Sequence, residues 1–175
     1  AMALFTETAT SNLFSIEQII NYSAQRQTAS FFVKPKSGST RWAINLRISN
    51  QYNNTGGDLY AMFDGTKGHL TFNDAAMFSN TMGGIDKMAN GIYRIWLTGD
   101  WTTLSGSKQY VVRSVGNLDP ATKSISGATS EGWHVWGGQV TNTNGPVGYV
   151  ATGAATASQA AESAIFNDTA WLTTA

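Results

Sequence analysis

The chain has 175 residues, of which 13% are charged, and its formal net charge is zero at pH 7. This length favours one domain of ordinary size, and the absence of net charge gives no field that would attract nucleic acid or an acidic membrane, so neither is an expected partner. The sequence has no cysteine, which excludes disulfides and cysteine-ligated zinc, and no apolar run as long as a membrane span.

The domain boundaries follow from composition at the two ends of the sequence. Residues 1–4 lack the charged segment and apolar run of a signal peptide and are typical of a cloning remnant. We therefore assign residues 1–10 to this remnant and a lead-in, and expect the chain to be a piece of a longer protein. Residues 11–150 form the predicted domain, and the Ala/Thr/Ser-rich residues 151–175 form an exit linker or the start of a following module.

Eight strands are predicted from period-two alternation and from runs of β-branched and aromatic residues between turn-forming residues. In chain order they cover residues 14–22, 30–34, 41–48, 59–63, 69–72, 92–98, 108–114 and 132–140. Residues 73–90 are weakly patterned and are predicted to hold loops. Strands in this number, without helical spacers, predict an all-β fold of two packed sheets or a closed barrel.

The same alternation predicts which side chains fill the core. The predicted core residues are Trp42, Ile44, Leu46, Phe63, Tyr93, Ile95, Leu97 and Trp136. His134 shares the parity of Trp136 and Val140, so we interpret it as a packed or edge histidine and not as a catalytic base.

Three segments resemble the jelly-roll module of bacteriophage tail fibre and tailspike proteins, which is related to carbohydrate-binding modules of polysaccharide-degrading enzymes. They are Ser30-Phe31-Phe32-Val33-Lys34-Pro35, Asn90-Gly91-Ile92-Tyr93-Arg94 and Val135-Trp136-Gly137-Gly138-Gln139-Val140, followed by the exit segment Gly148-Tyr149-Val150. The chain departs from the family pattern at Ile92, where the family has Trp, and after Tyr149, where proline is absent. The resemblance covers about residues 11–150. It implies a two-sheet antiparallel jelly-roll β-sandwich, contact with a glycan, and a location in a virion tail or outside the cell.

The search for catalytic motifs finds no Gly-x-Ser-x-Gly turn, no His-Glu-x-x-His helix and no phosphate-binding glycine-rich loop. Most carboxylates fall at turns, where they cap backbone amides, although a glycosidase needs only two at the right separation. We therefore predict that the chain is not an enzyme and has no catalytic residues. No cofactor or metal site is predicted. Asp58 and Asp64 flank one strand, however, so a structural calcium ion bound by them is kept as an alternative.

The candidate site rests on tryptophans that alternation places on outer faces. Sugars stack their C–H faces on aromatic rings, while their hydroxyls bind amide and charged side chains. Trp96 shares its face with Arg94, and Trp133 shares its face with Gln139 if Trp136 is in the core. Exposed tryptophans on a sheet usually mark an interaction site.

Strand alternation in a jelly roll places the first, third, sixth and eighth strands in one sheet. The predicted carbohydrate-binding residues are therefore Trp96, Trp133, Arg94, Arg47, Asn45 and Gln139. Because the planar fork of arginine suits a carboxylate, an acidic glycan is the first expectation. The opposite sheet, with Phe32 and Tyr60, and a loop at Trp101 are second choices.

These patterns favour a non-catalytic module that binds a poly- or oligosaccharide, either within a phage tail protein or attached to a polysaccharide-degrading enzyme. One alternative is a structural spacer, for example a trimer, whose exposed aromatic residues meet a sister subunit and bind no sugar. Another is a small jelly-roll hydrolase or lyase. The expected partners are the saccharide and the flanking domains of a larger protein, and the sequence leaves the oligomeric state open.

Overall fold

The computed structural model describes residues 3–6, 11–12, 15–20, 25–41, 43–50, 59–64, 69–73, 78–101, 108–115, 125–149, 157–159 and 162–164. Across these residues the chain is built of antiparallel strands, and its one helical element is a 3-10 turn at Ala89–Gly91. No helix in these ranges is long and apolar enough to cross a membrane.

The strands form two five-stranded antiparallel sheets and two short two-stranded pairs within the described ranges. In chain order they are β1 (Ala3–Thr6), β2 (Ser11–Asn12), β3 (Ser15–Ile20), β4 (Arg26–Pro35), β5 (Ala43–Asn50), β6 (Leu59–Asp64), β7 (His69–Asn73), β8 (Phe78–Lys87), β9 (Tyr93–Trp101), β10 (Lys108–Val115), β11 (Ile125–Ser126), β12 (Gly132–Thr141), β13 (Ala157–Gln159) and β14 (Glu162–Ala164). The front sheet has the order β1-β12-β4-β9-β8, and the back sheet has the order β3-β10-β5-β6-β7.

The connectivity is that of a jelly roll. Without the edge strands β7 and β8, the front sheet reads β1-β12-β4-β9 and the back sheet reads β3-β10-β5-β6. When these eight strands are numbered 1 to 8 in chain order, the front sheet has the order 1-8-3-6 and the back sheet has the order 2-7-4-5. This interleaving is the double Greek key of the jelly roll and confirms the predicted all-β sandwich.

The core lies between the two sheets, and its described part is formed by buried side chains of β4, β5, β6, β8, β9, β10 and β12. The predicted core residues Ile44, Leu46, Phe63, Tyr93, Ile95 and Leu97 are all buried, which confirms them. Trp42 lies outside the described residues. The buried Tyr110 hydroxyl of β10 donates a hydrogen bond to Gln27 of β4, so a polar contact also joins the two sheets.

Two strands of the front sheet lie where no strand was predicted. β1 was assigned to the lead-in, but it pairs with β12 along the edge of the front sheet, with Phe5 opposite Trp133. β8 occupies much of the region predicted to hold loops. Its pairing with β9 shifts register between Ser79 and Met82, and Asn80 has a positive φ of 50° there, so the alternation that signals a strand is interrupted.

A β-bulge in β12 reverses its alternation. Trp136 pairs with Phe32 and Gln139 pairs with Ser30, so β12 advances three residues while β4 advances two. The bulge lies at Gly137, whose φ of +58° favours glycine. Trp133 is therefore fully buried in the core, and Trp136 lies half-buried on the outer face. Both predictions for these tryptophans were wrong, because they assumed one parity from Trp133 to Val140.

Glu131 holds the segment between β4 and β5 against the start of β12. Its carboxylate accepts hydrogen bonds from the Ser39 hydroxyl, from the Thr40 amide (2.8 Å) and hydroxyl (2.7 Å), and from the Arg41 amide (2.9 Å). Burial by itself would raise the pKa of Glu131, but these hydrogen bonds to the charged form outweigh it and lower the pKa to about 2.

Substitution of the two tryptophans separates their roles. Trp133→Ala is expected to lower the free energy of unfolding by ~3–5 kcal/mol, because it truncates a filled core. Trp136→Ala is expected to cost about 1 kcal/mol, the order of one aromatic contact. Urea denaturation of the two variants and the parent protein measures both effects, and equal losses or the reverse order would contradict the bulge.

The Glu131 carboxylate is expected to make stability depend on acid. Because its pKa falls from the ordinary 4.5 to about 2 on folding, its contribution is present above about pH 5 and is lost as the pH falls towards 2. Glu131→Gln should be less stable at pH 7 by on the order of 2 kcal/mol and should depend less on pH in that window. Melting temperatures measured from pH 7 to pH 2 test this, and parallel curves would refute it.

Candidate functional site

The outer face of the front sheet carries rows of side chains that cross β12, β4, β9 and β8. Register partners in such a row are about 5 Å apart and contact each other across strands. One row contains Trp136, Phe32, Arg94 and Asp86, and the next contains Gln139, Ser30, Trp96 and Gly84.

Phe32 is the centre of an aromatic cluster on this face. The Trp136 ring stacks on it with centroids 5.7 Å apart and an interplanar angle of 19°. Tyr149 meets it edge-on at 5.7 Å and 85°. The guanidinium carbon of Arg94 lies 5.3 Å from the Phe32 centroid, within reach of a cation–π interaction. We refer to Phe32, Trp136 and Tyr149 as the aromatic cluster.

The segment that follows β12 folds back over the same face and positions Tyr149. The Thr28 hydroxyl donates to the carbonyl oxygen of Thr143 (2.6 Å). The Gln139 side-chain amide donates to the carbonyl oxygen of Gly148 (3.3 Å). These bonds tie both ends of the segment to the sheet, so Tyr149 lies against Phe32 while 39% of its surface remains exposed.

Arg94 is held between the two rows by neutral acceptors. Its Nη2 donates to the Ser30 hydroxyl (3.1 Å) and to Oε1 of Gln139 (3.0 Å). Burial lowers the pKa of Arg94, and the nearby Asp86 raises it in part. Gln139 is only 1% exposed. It therefore positions Arg94 and does not offer its amide to a ligand.

Trp96 forms a second platform next to the edge strand β8. A Cβ atom built on Gly84 would lie 2.6 Å from the indole ring of Trp96. The ring therefore lies directly against the backbone of β8, in space that only glycine leaves open. It is half-buried, so part of its surface is available to a ligand.

Three of the six predicted site residues come together here. Trp96, Arg94 and Gln139 share the outer face of the front sheet, with Trp96 and Arg94 half-buried and Gln139 buried beneath them. Trp133 does not join them, because the bulge turns it into the core. Trp136 takes the outward position that was predicted for Trp133.

Asn45 and Arg47 lie on the other side of the sandwich, so their predicted place beside Trp96 was wrong. Both belong to β5 of the back sheet. Asn45 is 4% exposed, and its side-chain amide donates to the carbonyl oxygen of Ala61 (3.2 Å). The rule that the first, third, sixth and eighth strands share a sheet holds for the eight strands of the jelly roll. The sequence prediction did not count β1, however, so it numbered β5 as the third of these eight strands, whereas β5 is the fourth.

The sequence prediction missed the aromatic cluster as a unit. The Gly137-Gly138 pair within a strand pattern was the signal for a bulge and for the outward turn of Trp136. Phe32 was assigned to the sheet opposite Trp96, but β4 and β9 are neighbours. The second-choice residue Trp101 is fully buried and packs on Phe78 with ring centroids 4.2 Å apart.

Within the described part of the chain, no group of three or more His, Asp and Glu side chains could hold a metal ion. Asp64 is 1% exposed, at the end of β6. Asp58 lies outside the described residues, so the calcium site stays a prediction. His134 is half-buried on the outer face, next to Trp136 along β12.

A scan against models of protein families finds no match to this chain, and a search of curated proteins finds none either. We therefore infer the chemistry of the site from its geometry. Two partly exposed aromatic surfaces lie beside the half-buried guanidinium group of Arg94. This arrangement suits a ligand with apolar faces and polar edges.

Gly84→Ala is expected to displace Trp96, because the added methyl group would overlap its indole ring. Acrylamide should then quench the tryptophan fluorescence more strongly than in the parent protein, while the far-ultraviolet circular dichroism stays the same. Gly145→Ala is the matched control, since no atom lies within 4 Å of a Cβ there. Equal quenching of both variants would show that Trp96 does not rest on Gly84.

Proposed function

We propose that this chain is a non-catalytic carbohydrate-binding module whose site is the outer face of the front sheet. The observation that carries the proposal is the placement of two partly exposed tryptophans, Trp136 and Trp96, on one rigid sheet face with Arg94 between them. Sugar rings would stack on the indoles, and their hydroxyls would bind the guanidinium group.

The spacing of the two tryptophans favours an oligosaccharide over a single sugar. Trp136 belongs to β12 and Trp96 to β9, with β4 between them. Two strand spacings correspond to about 10 Å, and the residues also lie in successive rows. A ligand that contacts both indoles must therefore extend across three strands.

The resemblance to jelly-roll modules of bacteriophage tail proteins supports the proposal. Its three segments contain Phe32, Arg94 and Trp136, which are register neighbours in a single row of the candidate site. We propose on this basis that the chain acts within a phage tail protein, or next to the catalytic domain of a polysaccharide-degrading enzyme, in a virion tail or outside the cell. Flanking domains of the same protein would be its other partners.

A structural spacer is the second candidate function. Exposed apolar side chains lie on both edge strands of the front sheet, Leu4 on β1 and Met82 on β8, with exposed fractions of 51% and 42%. Such side chains could pack against sister subunits. Analytical ultracentrifugation tests this, and a trimer that protects the tryptophans from quenching while binding no glycan would favour the spacer.

Glycan binding is expected to depend on both platforms. Screening the parent protein on a glycan array would supply a ligand, and calorimetric titration would compare variants. Trp136→Ala and Trp96→Ala should each lose about 1–2 kcal/mol of binding free energy, roughly five- to thirtyfold in Kd. Met82→Ala, an exposed position on β8, is the control and should bind like the parent. If both tryptophan variants stay folded and bind as tightly as the parent, this face is not the site.

The chain is expected to bind its polysaccharide without cleaving it. Glycoside hydrolysis needs two carboxyl groups about 5 Å or about 6.5–9.5 Å apart across the scissile bond. The groups proposed here to contact sugar are indole rings, a phenyl ring and a guanidinium. Prolonged incubation with the retained polysaccharide should release no reducing ends, and their appearance at enzyme-like rates would refute the non-catalytic role.

A further inference from the structure

Two cations bracket the aromatic cluster. Lys34 follows Phe32 by two residues on β4, so it lies on the same outer face, about 7 Å along the strand. Arg94 is the register partner of Phe32 on β9. The side chain of Lys34 has no hydrogen bond or ion pair with the other residues that the structure describes. Its register partner on β12 is His134, which adds a third basic side chain beside Trp136.

The charges of these two cations are not compensated by a direct ion pair. Both hydrogen bonds of Arg94 go to neutral oxygens, those of Ser30 and Gln139. The exposed Asp86 is its register partner on β8, and the structure shows no ion pair between them. An ion pair between Arg26 and Asp100, at 2.6 Å, lies at the other end of the face.

The buried carboxylate of Glu131 forms no direct ion pair with Lys34 or Arg94 either. Glu131 precedes β12, and its oxygens are occupied by hydrogen bonds from Ser39, Thr40 and Arg41. It is thus held in the loop that precedes β5, away from the stacked rings. Of the described charged side chains in the row of Phe32 and next to it on β4, Lys34 and Arg94 are positive and Asp86 is negative. One positive charge therefore remains uncompensated there, although the whole chain has a net charge of zero.

We infer that the site selects an anionic sugar chain, whose rings stack on the aromatic cluster while Lys34 and Arg94 contact its acidic substituents. The inference rests on the proposed function and adds the ligand's charge to it. A carboxylate of a uronic or sialic acid and a sulfate ester share the necessary chemistry, since both accept charge-assisted hydrogen bonds from ammonium and guanidinium groups. A neutral glycan would offer neither cation an anionic partner.

The test compares acidic polysaccharides with their neutral counterparts. Polygalacturonate, hyaluronan and polysialic acid form the carboxylate arm, each paired with its carboxyl-reduced form, and dextran sulfate paired with dextran forms the sulfate arm. At least one acidic polymer should bind at least tenfold more tightly than its neutral counterpart, and added salt should weaken that binding. The arm in which it occurs identifies the acidic group.

Charge variants locate the effect on the protein. Lys34→Gln should weaken binding of the acidic polymer about three- to tenfold and leave binding of the neutral one unchanged, whereas Lys34→Arg should bind like the parent. Lys87→Gln is the matched control, because it removes the same charge from an exposed position on the edge strand β8. An equal loss in Lys34→Gln and Lys87→Gln would overturn the assignment to Lys34.

The outcomes also separate this inference from the proposed function. One outcome is that the acidic and neutral members of every pair bind equally and that Trp136→Ala loses this binding. It would overturn the selection of anionic chains and leave carbohydrate binding in place. Binding of neither member in any pair, together with an empty glycan array, would overturn both.

Discussion

The bulge at Gly137 in β12 is the constraint on which the candidate site depends. At this bulge β12 has one extra residue opposite β4, and Gly137 adopts the positive φ that the bulge requires. Trp136 therefore points outward, and Gln139 lies beneath Arg94. A Cβ at Gly137 would also lie 2.6 Å from the Phe32 ring, so the stacked rings need a residue without a side chain at this position. Backbone conformation and close packing therefore both favour glycine here.

β12 links the stability of the sandwich to the geometry of its outer face. Just before it, Glu131 fastens the segment that leads into β5, and Trp133 fills the core between the sheets. Beyond these, Trp136 forms the stacking surface and Gln139 orients Arg94. The strand is paired with β1 as far as Val135, and its residues Trp136 and Gln139 are paired with β4. A platform on such a strand is preorganised, which lowers the entropic cost of binding an extended, flexible ligand.

Much of the fold was predictable because alternation is a local signal. The strands around Ile44 and Ile95 and their core faces follow from period-two patterns alone. Sheet membership is not local: Asn45 was placed in the wrong sheet because β1 is too short to stand out and was not counted. The interrupted alternation of β8 hid a whole strand. Within the site, the outward positions of Arg94 and Trp96 were predicted correctly. The positions of Trp133 and Trp136 were predicted the wrong way round, because two adjacent glycines indicate a bulge but do not show that the inward and outward sides of the strand change places there.

The bulge turns Trp136 to the outer face, which it shares with Trp96, and leaves Trp133 in the core. We propose that Trp136 and Trp96 together form the sugar-stacking surface. The most direct test is ¹⁹F NMR of the protein labelled with 5-fluorotryptophan, with each resonance assigned by a Trp→Phe variant, during titration with a glycan retained on the array. The resonances of Trp96 and Trp136 are expected to shift as the glycan is added, while those of the buried Trp101 and Trp133 stay in place. Shifts at Trp133 without shifts at Trp136 would contradict this proposal.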